Sequence, residues 1–216
     1  VSGFELETAG VLKGGKKIWA LARTGQTTSI KGNDVTKGYV LLATACDGSM
    51  ATTAQFTSVR VVCNNTLAVS LSQEKESAVK VPHSTQFDAK AVKKDLGLSV
   101  SAWDEFMYQM KVFSERRISH KEARNFYHNV FSSRQTEGKV NERAMAKAIN
   151  LFEGNGRGSQ LASSKNTALG LLNSVTEFID HEQRAYSSDY RMDSAWFGAG
   201  AQVKQRALTE ARLLTA

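Results

Sequence analysis

The stretch from Val40 to Leu71, VLLATACDGSMATTAQFTSVRVVCNNTLAVSL, constrains the fold more than any other part of the chain. Two runs rich in apolar residues and threonine flank Asp47-Gly48-Ser49. Asp-Gly between strand-like runs is a strong hairpin signal, because glycine reaches positive φ without a steric penalty. The period then changes. Val59, Val62, Cys63, Thr66, Leu67, Ser70 and Leu71 fall at helical spacing, with Thr57 or Ser58 placed to cap the start. Val59, Val61, Cys63, Leu67 and Val69 also alternate, so a strand fits the same text. The preferred reading is a hairpin that leads into a helix, and either form is buried scaffold rather than a site.

A first hairpin precedes it. Phe4, Leu6 and Thr8, then Ile18, Ala20 and Ala22, repeat with period two on either side of Lys13-Gly14-Gly15-Lys16. Its tip carries Lys13, Lys16 and Lys17. Gly25–Gly38 is polar and reads as a loop. Ala78–Thr85 reads as a short strand, placed at an edge by Pro82. Phe87–Leu96 reads as a basic helix with Asp88 as its cap and Gly97 as its stop.

From about Ser99 the text is helical. A helix from Ser101 carries Phe106, Met110 and Phe113 as its apolar stripe and ends at Arg116 and Arg117, which suit the helix dipole. Ser119 caps a helix over His120–Ser132. Asn141 opens another, stopped by Gly154-Asn155-Gly156-Arg157-Gly158-Ser159. A further helix covers Asn166–Tyr186, and the last runs from Trp196 or Gly200 to Leu214. The class is therefore α+β: N-terminal antiparallel β-hairpins with a helix, followed by a C-terminal helical half. The expected division is 1–97 and 98–216 within one integrated domain. The 216 residues, 41% hydrophobic against 23% charged, supply the core of one good-sized domain.

The net charge is +7 and the pI about 9.4, a balance that suits a polyanion such as nucleic acid. Cys46 and Cys63 sit in apolar runs and read as buried thiols; two cysteines cannot form a four-cysteine zinc site. No signal peptide or membrane-length apolar run is visible, which gives the expectation of a cytoplasmic protein, and the chain begins without Met.

Three constellations invite chemistry. The glycine loop 154–158 could offer N–H groups to phosphate, with Arg157 supplying charge, but it lacks the spacing of a P-loop or a dinucleotide fold. A mobile basic loop against a nucleic-acid backbone and a plain connector both fit it. Glu177, Asp180 and His181 share a helix and could hold a metal or a general base, but an ordinary polar face has the same spacing. His83, His120 and His128 are scattered, and no Ser–His–Asp grouping is visible. The aromatics say more. Trp19 lies on the basic hairpin, Tyr39 opens the second, and Trp196-Phe197 lie near Arg191; bases of single strands stack on exposed rings while cations track phosphates.

The run Asp47-Gly48-Ser49, then Phe56-Thr57-Ser58-Val59-Arg60-Val61-Val62-Cys63-Asn64-Asn65-Thr66-Leu67, resembles the phage/plasmid-like protein family catalogued as domain of unknown function 932. Asn173 to His181, Ser194-Ala195-Trp196-Phe197-Gly198 and Lys204 agree in order, so the resemblance covers residues 4–208. Ser58 stands where proline is expected and Ala45-Cys46 where a polar pair is expected; neither threatens the fold. The resemblance implies a phage or plasmid origin and a link to recombination, but no reaction. At the level of fold only, paired hairpins leading into a helix resemble single-strand annealing proteins.

The resulting expectation is a non-enzymatic protein without cofactor or metal that binds single-stranded DNA, anneals it in recombination and works as a homo-oligomer. Lys13, Lys16, Lys17, Trp19, Arg23, Tyr39 and Arg60 would line a β-face. Arg157, Arg184 and Arg191 would come from the helical half, all meeting in one groove. The alternative is a protein-binding module aimed at a host protein, as a defence inhibitor or assembly factor. A metal-dependent hydrolase centred on Glu177, Asp180 and His181 ranks last.

Overall fold

The structure is a computed structural model that describes residues 4–69, 78–86, 88–96, 100–132 and 139–216. It has two compact units. One comprises residues up to 28 with 36–59 and 67–108; the other comprises 29–35, 60–66 and 109–216. The expected stop at Gly97 lies outside the described residues.

The first unit carries most of an antiparallel sheet. Its strands are β1 (Glu5–Leu12), β2 (Lys17–Ser29), β3 (Val35–Ala45), β4 (Thr52–Arg60), β5 (Asn65–Ala68) and β6 (Ala78–Val81). The order is β1-β2-β3-β4-β5, with β6 also paired to β4. Both predicted hairpins are present. At the second turn Ser49 N–H donates to Asp47 Oδ1 at 3.0 Å and Gly48 takes φ 75°, which glycine accommodates at no cost. The edge strand read from Pro82 is β6, antiparallel to β4.

Two expectations for this unit are corrected. The text after Val59 is not a helix. β4 runs to Arg60, residues 61–64 turn with Asn64 at φ 55°, and β5 follows. Val62, which belonged to the helical stripe, and Val61 are both exposed in that turn. Thr57 and Ser58 do not cap; both hydroxyls donate to the Leu67 carbonyl at 3.1 Å. The strand alternative holds on either side of the turn, with Leu67 and Val69 buried, but not across Val61, which the turn exposes. Gly25–Gly38 is not a long loop either: β2 continues to Ser29 and β3 starts at Val35. Along this part of β2, half-buried Thr24, Gln26 and Thr28 alternate with exposed Arg23, Gly25, Thr27 and Ser29. A polar strand has no apolar period to betray it.

Helix α1 (Ala89–Asp95) begins at Asp88, whose carboxylate accepts from Lys90 N–H at 2.8 Å. Helix α2 (Val100–Glu115) buries Phe106, Met110 and Phe113, the predicted stripe. Its Trp103 lies 5.9 Å from the Phe56 ring and donates Nε1–H to Thr28 Oγ1 at 2.8 Å, which satisfies the buried indole.

The second unit holds α3 (His120–Phe131), α4 (Glu142–Asn150), α5 (Ala168–Glu177), α6 (Ser188–Phe197) and α7 (Ala199–Leu213). Ser119 caps α3 and Asn141 caps α4, both as predicted, and Glu122 closes a capping box with Ser119. At Leu151–Asn155 the chain widens into one π-helical turn and leaves the helix at Gly154, φ 136°. Thr167 caps α5, which is buried on every side except at Asn173, as suits a central helix. It packs on α4 and α7, and α7 also receives α3 and α6. Gly170 allows the close approach: a Cβ there would fall 2.0 Å from the Ser164 carbonyl oxygen. The helix expected over Asn166–Tyr186 stops earlier, in a π-helical turn at Phe178–Glu182. The expected last helix is α7, and α6, which ends just before Gly198, was not anticipated.

Candidate nucleic-acid interface

Residues 183–187 link the π-helical turn to α6, which Ser187 caps by accepting from Tyr190 N–H at 3.4 Å. This capped link presents two tyrosines to solvent. Tyr186 is 93% exposed and Tyr190, on the first turn of α6, is 46% exposed. Their rings meet edge to face with centroids 5.5 Å apart. Arg184 and Arg191 bracket them in sequence, Arg184 exposed and Arg191 half-buried, and neither makes an ion pair among the described residues. Apolar ring area at the surface costs solvation unless something covers it. One turn further, Trp196 and Phe197 pack edge to face at 6.1 Å, both half-buried.

The remaining expected contacts divide between exposed and spent residues. In the first unit Lys16 is exposed at the hairpin tip and Lys13 is half-buried, but Lys17 is buried and so leaves the tip. Trp19 is half-buried, and its indole covers Gly10 on the neighbouring strand. Arg23 is exposed but ion-paired to Glu7. Tyr39 is buried, so it offers no stacking face; burial pushes its phenol upward, and Glu7 and Arg23 contact it.

In the second unit Arg60 is only 5% exposed and is not a surface cation. Its Nε and Nη2 grip Asp34 at 2.7 and 2.8 Å, and Nη2 reaches Ser164 Oγ at 2.9 Å. Ser163 Oγ completes the cluster by donating to Asp34 at 2.6 Å. Asp34 is fully buried, and such a pair survives burial only because its bonds are satisfied. The burial of Arg60 follows from its place at the end of β4, where the chain turns into 61–64.

The glycine loop is a connector. Its amides are taken within the protein: Gly156 N–H bonds the Leu151 carbonyl at 2.9 Å, and Arg157 N–H bonds both Glu177 oxygens at 3.0 Å. A carboxylate thus stands where a phosphate would have to sit. Burial raises the Glu177 pKa, opposed by Arg157. Arg157 itself points its exposed side chain outward. With Arg60, Ser164 and Asn173, these residues line a cavity of about 10 Å³, room for a single water and no larger ligand.

The metal-like trio is also separated by its bonding. Asp180 bonds Lys204 Nζ and Thr66 N–H, both at 2.7 Å, while Glu177 is turned to Arg157. Among the described residues no three His, Cys, Asp or Glu side chains gather to hold a metal ion. Neither cysteine is in a disulfide. Cys63 is buried as expected and burial raises its pKa, but Cys46 is exposed beside the turn, correcting the reading of a buried thiol. Among the described residues no helix is long and apolar enough to cross a membrane.

Sequence reasoning found Arg184 and Arg191 but missed the tyrosines between them. Tyr186-Ser187-Ser188 interrupts the apolar period and Ser187 reads as a helix cap, but that spacing alone does not place the flanking rings. Residues 1–196 match the family described as Domain of unknown function (DUF932), and the chain belongs to it. No curated protein and no solved structure matches the chain.

Proposed function

We propose that the chain is a nucleic-acid-binding protein of a phage or plasmid that holds single-stranded DNA for annealing in recombination, in the cytoplasm of the host. The observation that carries this reading is the exposed Tyr186–Tyr190 pair bracketed by Arg184 and Arg191. Every base has a π-face, so a single strand stacks on such rings with little regard to sequence, at ~1–3 kcal/mol per base. The arginines suit the phosphates between stacked bases. The +7 charge supports the same partner. Lys16 and Arg157 are exposed cations that add to the attraction. Bases inside a duplex are already stacked, so the tyrosines favour single strands.

Fluorescence anisotropy of a labelled oligonucleotide tests this. Binding of the single strand should exceed that of the duplex, and Tyr186→Ala with Tyr190→Ala should weaken it by about fivefold or more, the lower end of one lost stack. Equal binding by the double variant removes the proposed site; no binding by the intact chain removes the function.

A further inference from the structure

We infer that β1 is a self-pairing edge, through which two copies of the chain join in an antiparallel, two-fold dimer centred on Ala9. This goes beyond nucleic-acid binding and requires none. β1 ends the sheet order, with β2 as its partner among the described residues, and seven of its eight residues are not buried. An edge strand offers backbone donors and acceptors along its open side.

The register of β1 on β2 slips at Glu7: Leu6 pairs with Ala22, and Thr8 with Leu21. A bulge ordinarily blunts an edge. Here it also moves Leu6 onto the face of Ala9 and Val11, whose partners are Ala20 and Ile18. Without it, Leu6 and Val11 would point to opposite faces, because successive side chains alternate. On this shared face Leu6 is 64%, Val11 58% and Ile18 47% exposed.

With Glu7 counted out of the register, Leu6 and Val11 each stand two steps from Ala9. A two-fold axis at Ala9, perpendicular to the sheet, therefore sets Leu6 opposite Val11 of the second copy, and Val11 opposite its Leu6. The surface is self-complementary, as an isologous contact requires. The small Ala9 faces itself on the axis. Charge agrees with the same arrangement. Glu5 falls opposite Leu12 of the second copy, next to the turn bearing Lys13 and exposed Lys16, so an acidic strand start meets a basic turn at both ends.

The test is made on nuclease-treated protein without nucleic acid. Sedimentation equilibrium should show a dimer, and the Leu6→Lys/Val11→Lys double variant should dissociate at concentrations at least about tenfold higher, because lysines then stand opposite each other. Circular dichroism confirms that the variant folds. The register is read in a Cys46→Ser background by Ala9→Cys. Directly opposed residues have Cα atoms about 4.5–5.5 Å apart, within disulfide range, so mild oxidation should yield a cross-linked dimer. A monomer at every concentration overturns the inference. So does a dimer indifferent to the lysines, or one in which the Ala9→Cys variant fails to cross-link.

Discussion

Replacing Asp34 by alanine strands the Arg60 guanidinium inside the protein. The carboxylate accepts from Arg60 Nε at 2.7 Å, from Nη2 at 2.8 Å and from Ser163 Oγ at 2.6 Å. Arg60 and Asp34 are 5% and 0% exposed, so water cannot replace the lost acceptor. Breaking a buried pair from one side costs about 3–5 kcal/mol, against a total stability of about 5–15 kcal/mol for an ordinary domain. At about 2–4 °C per kcal/mol for a chain of this size, the melting temperature should fall by about 6–20 °C. Thermal melting followed by circular dichroism measures it. The Asp34→Leu/Arg60→Met pair, which removes both charges and retains volume, should recover most of the loss. A fall of less than about 1 kcal/mol in Asp34→Ala would refute the reasoning, as would a double variant no better than the single one. The cost should appear in stability rather than in the salt dependence of DNA binding, because Arg60 is spent inside.

Other consequences follow from the same geometry. Gly170→Ala should be among the most damaging single-methyl additions, with denaturant midpoint as the readout, since the new Cβ meets the Ser164 carbonyl oxygen at 2.0 Å. A thiol reagent should label Cys46 in the folded protein and reach Cys63 only on unfolding, because Cys63 is buried with a raised pKa; rapid labelling of both would contradict their placement. Backbone and side-chain bonds from Ser119, then Arg116, lower the Glu122 pKa from 4.5 to about 2. The folded value lies below the unfolded one, so this stabilisation is present above about 4.5 and is lost as pH falls toward about 2. Glu122→Gln should therefore flatten that part of an acid-melting profile.

The fold was legible where chemistry is local. Asp47-Gly48, Asp88, Ser119 and Asn141 each act within a few residues of themselves, and each turn or cap lies where it was read. Legibility failed where the decisive partner is remote. Val62 extends a helical stripe in the text and Val61 an alternation, but both occupy an exposed turn, fixed by what Arg60 and Asn65 reach: Asp34, and the Asn173 carbonyl at 3.2 Å. Thr24, Gln26 and Thr28 form a strand whose polar alternation hides it. Among candidate contacts, the hairpin lysines and Arg184 read as cations from type alone, while the burial of Lys17, Tyr39 and Arg60 depended on neighbours that no spacing reveals. Tyr186 and Tyr190 went unread because a tyrosine's usual place is a core or half-buried surface.

The salt dependence of oligonucleotide binding tests the central claim most directly. For a single strand, each neutralised phosphate contributes about 0.7 to the slope of log K against log salt. If Arg184 and Arg191 each meet a phosphate beside the stacked bases, Arg184→Ala/Arg191→Ala should lower that slope by about 1.4. An unchanged slope in this folded double variant would place the binding surface elsewhere and contradict the account.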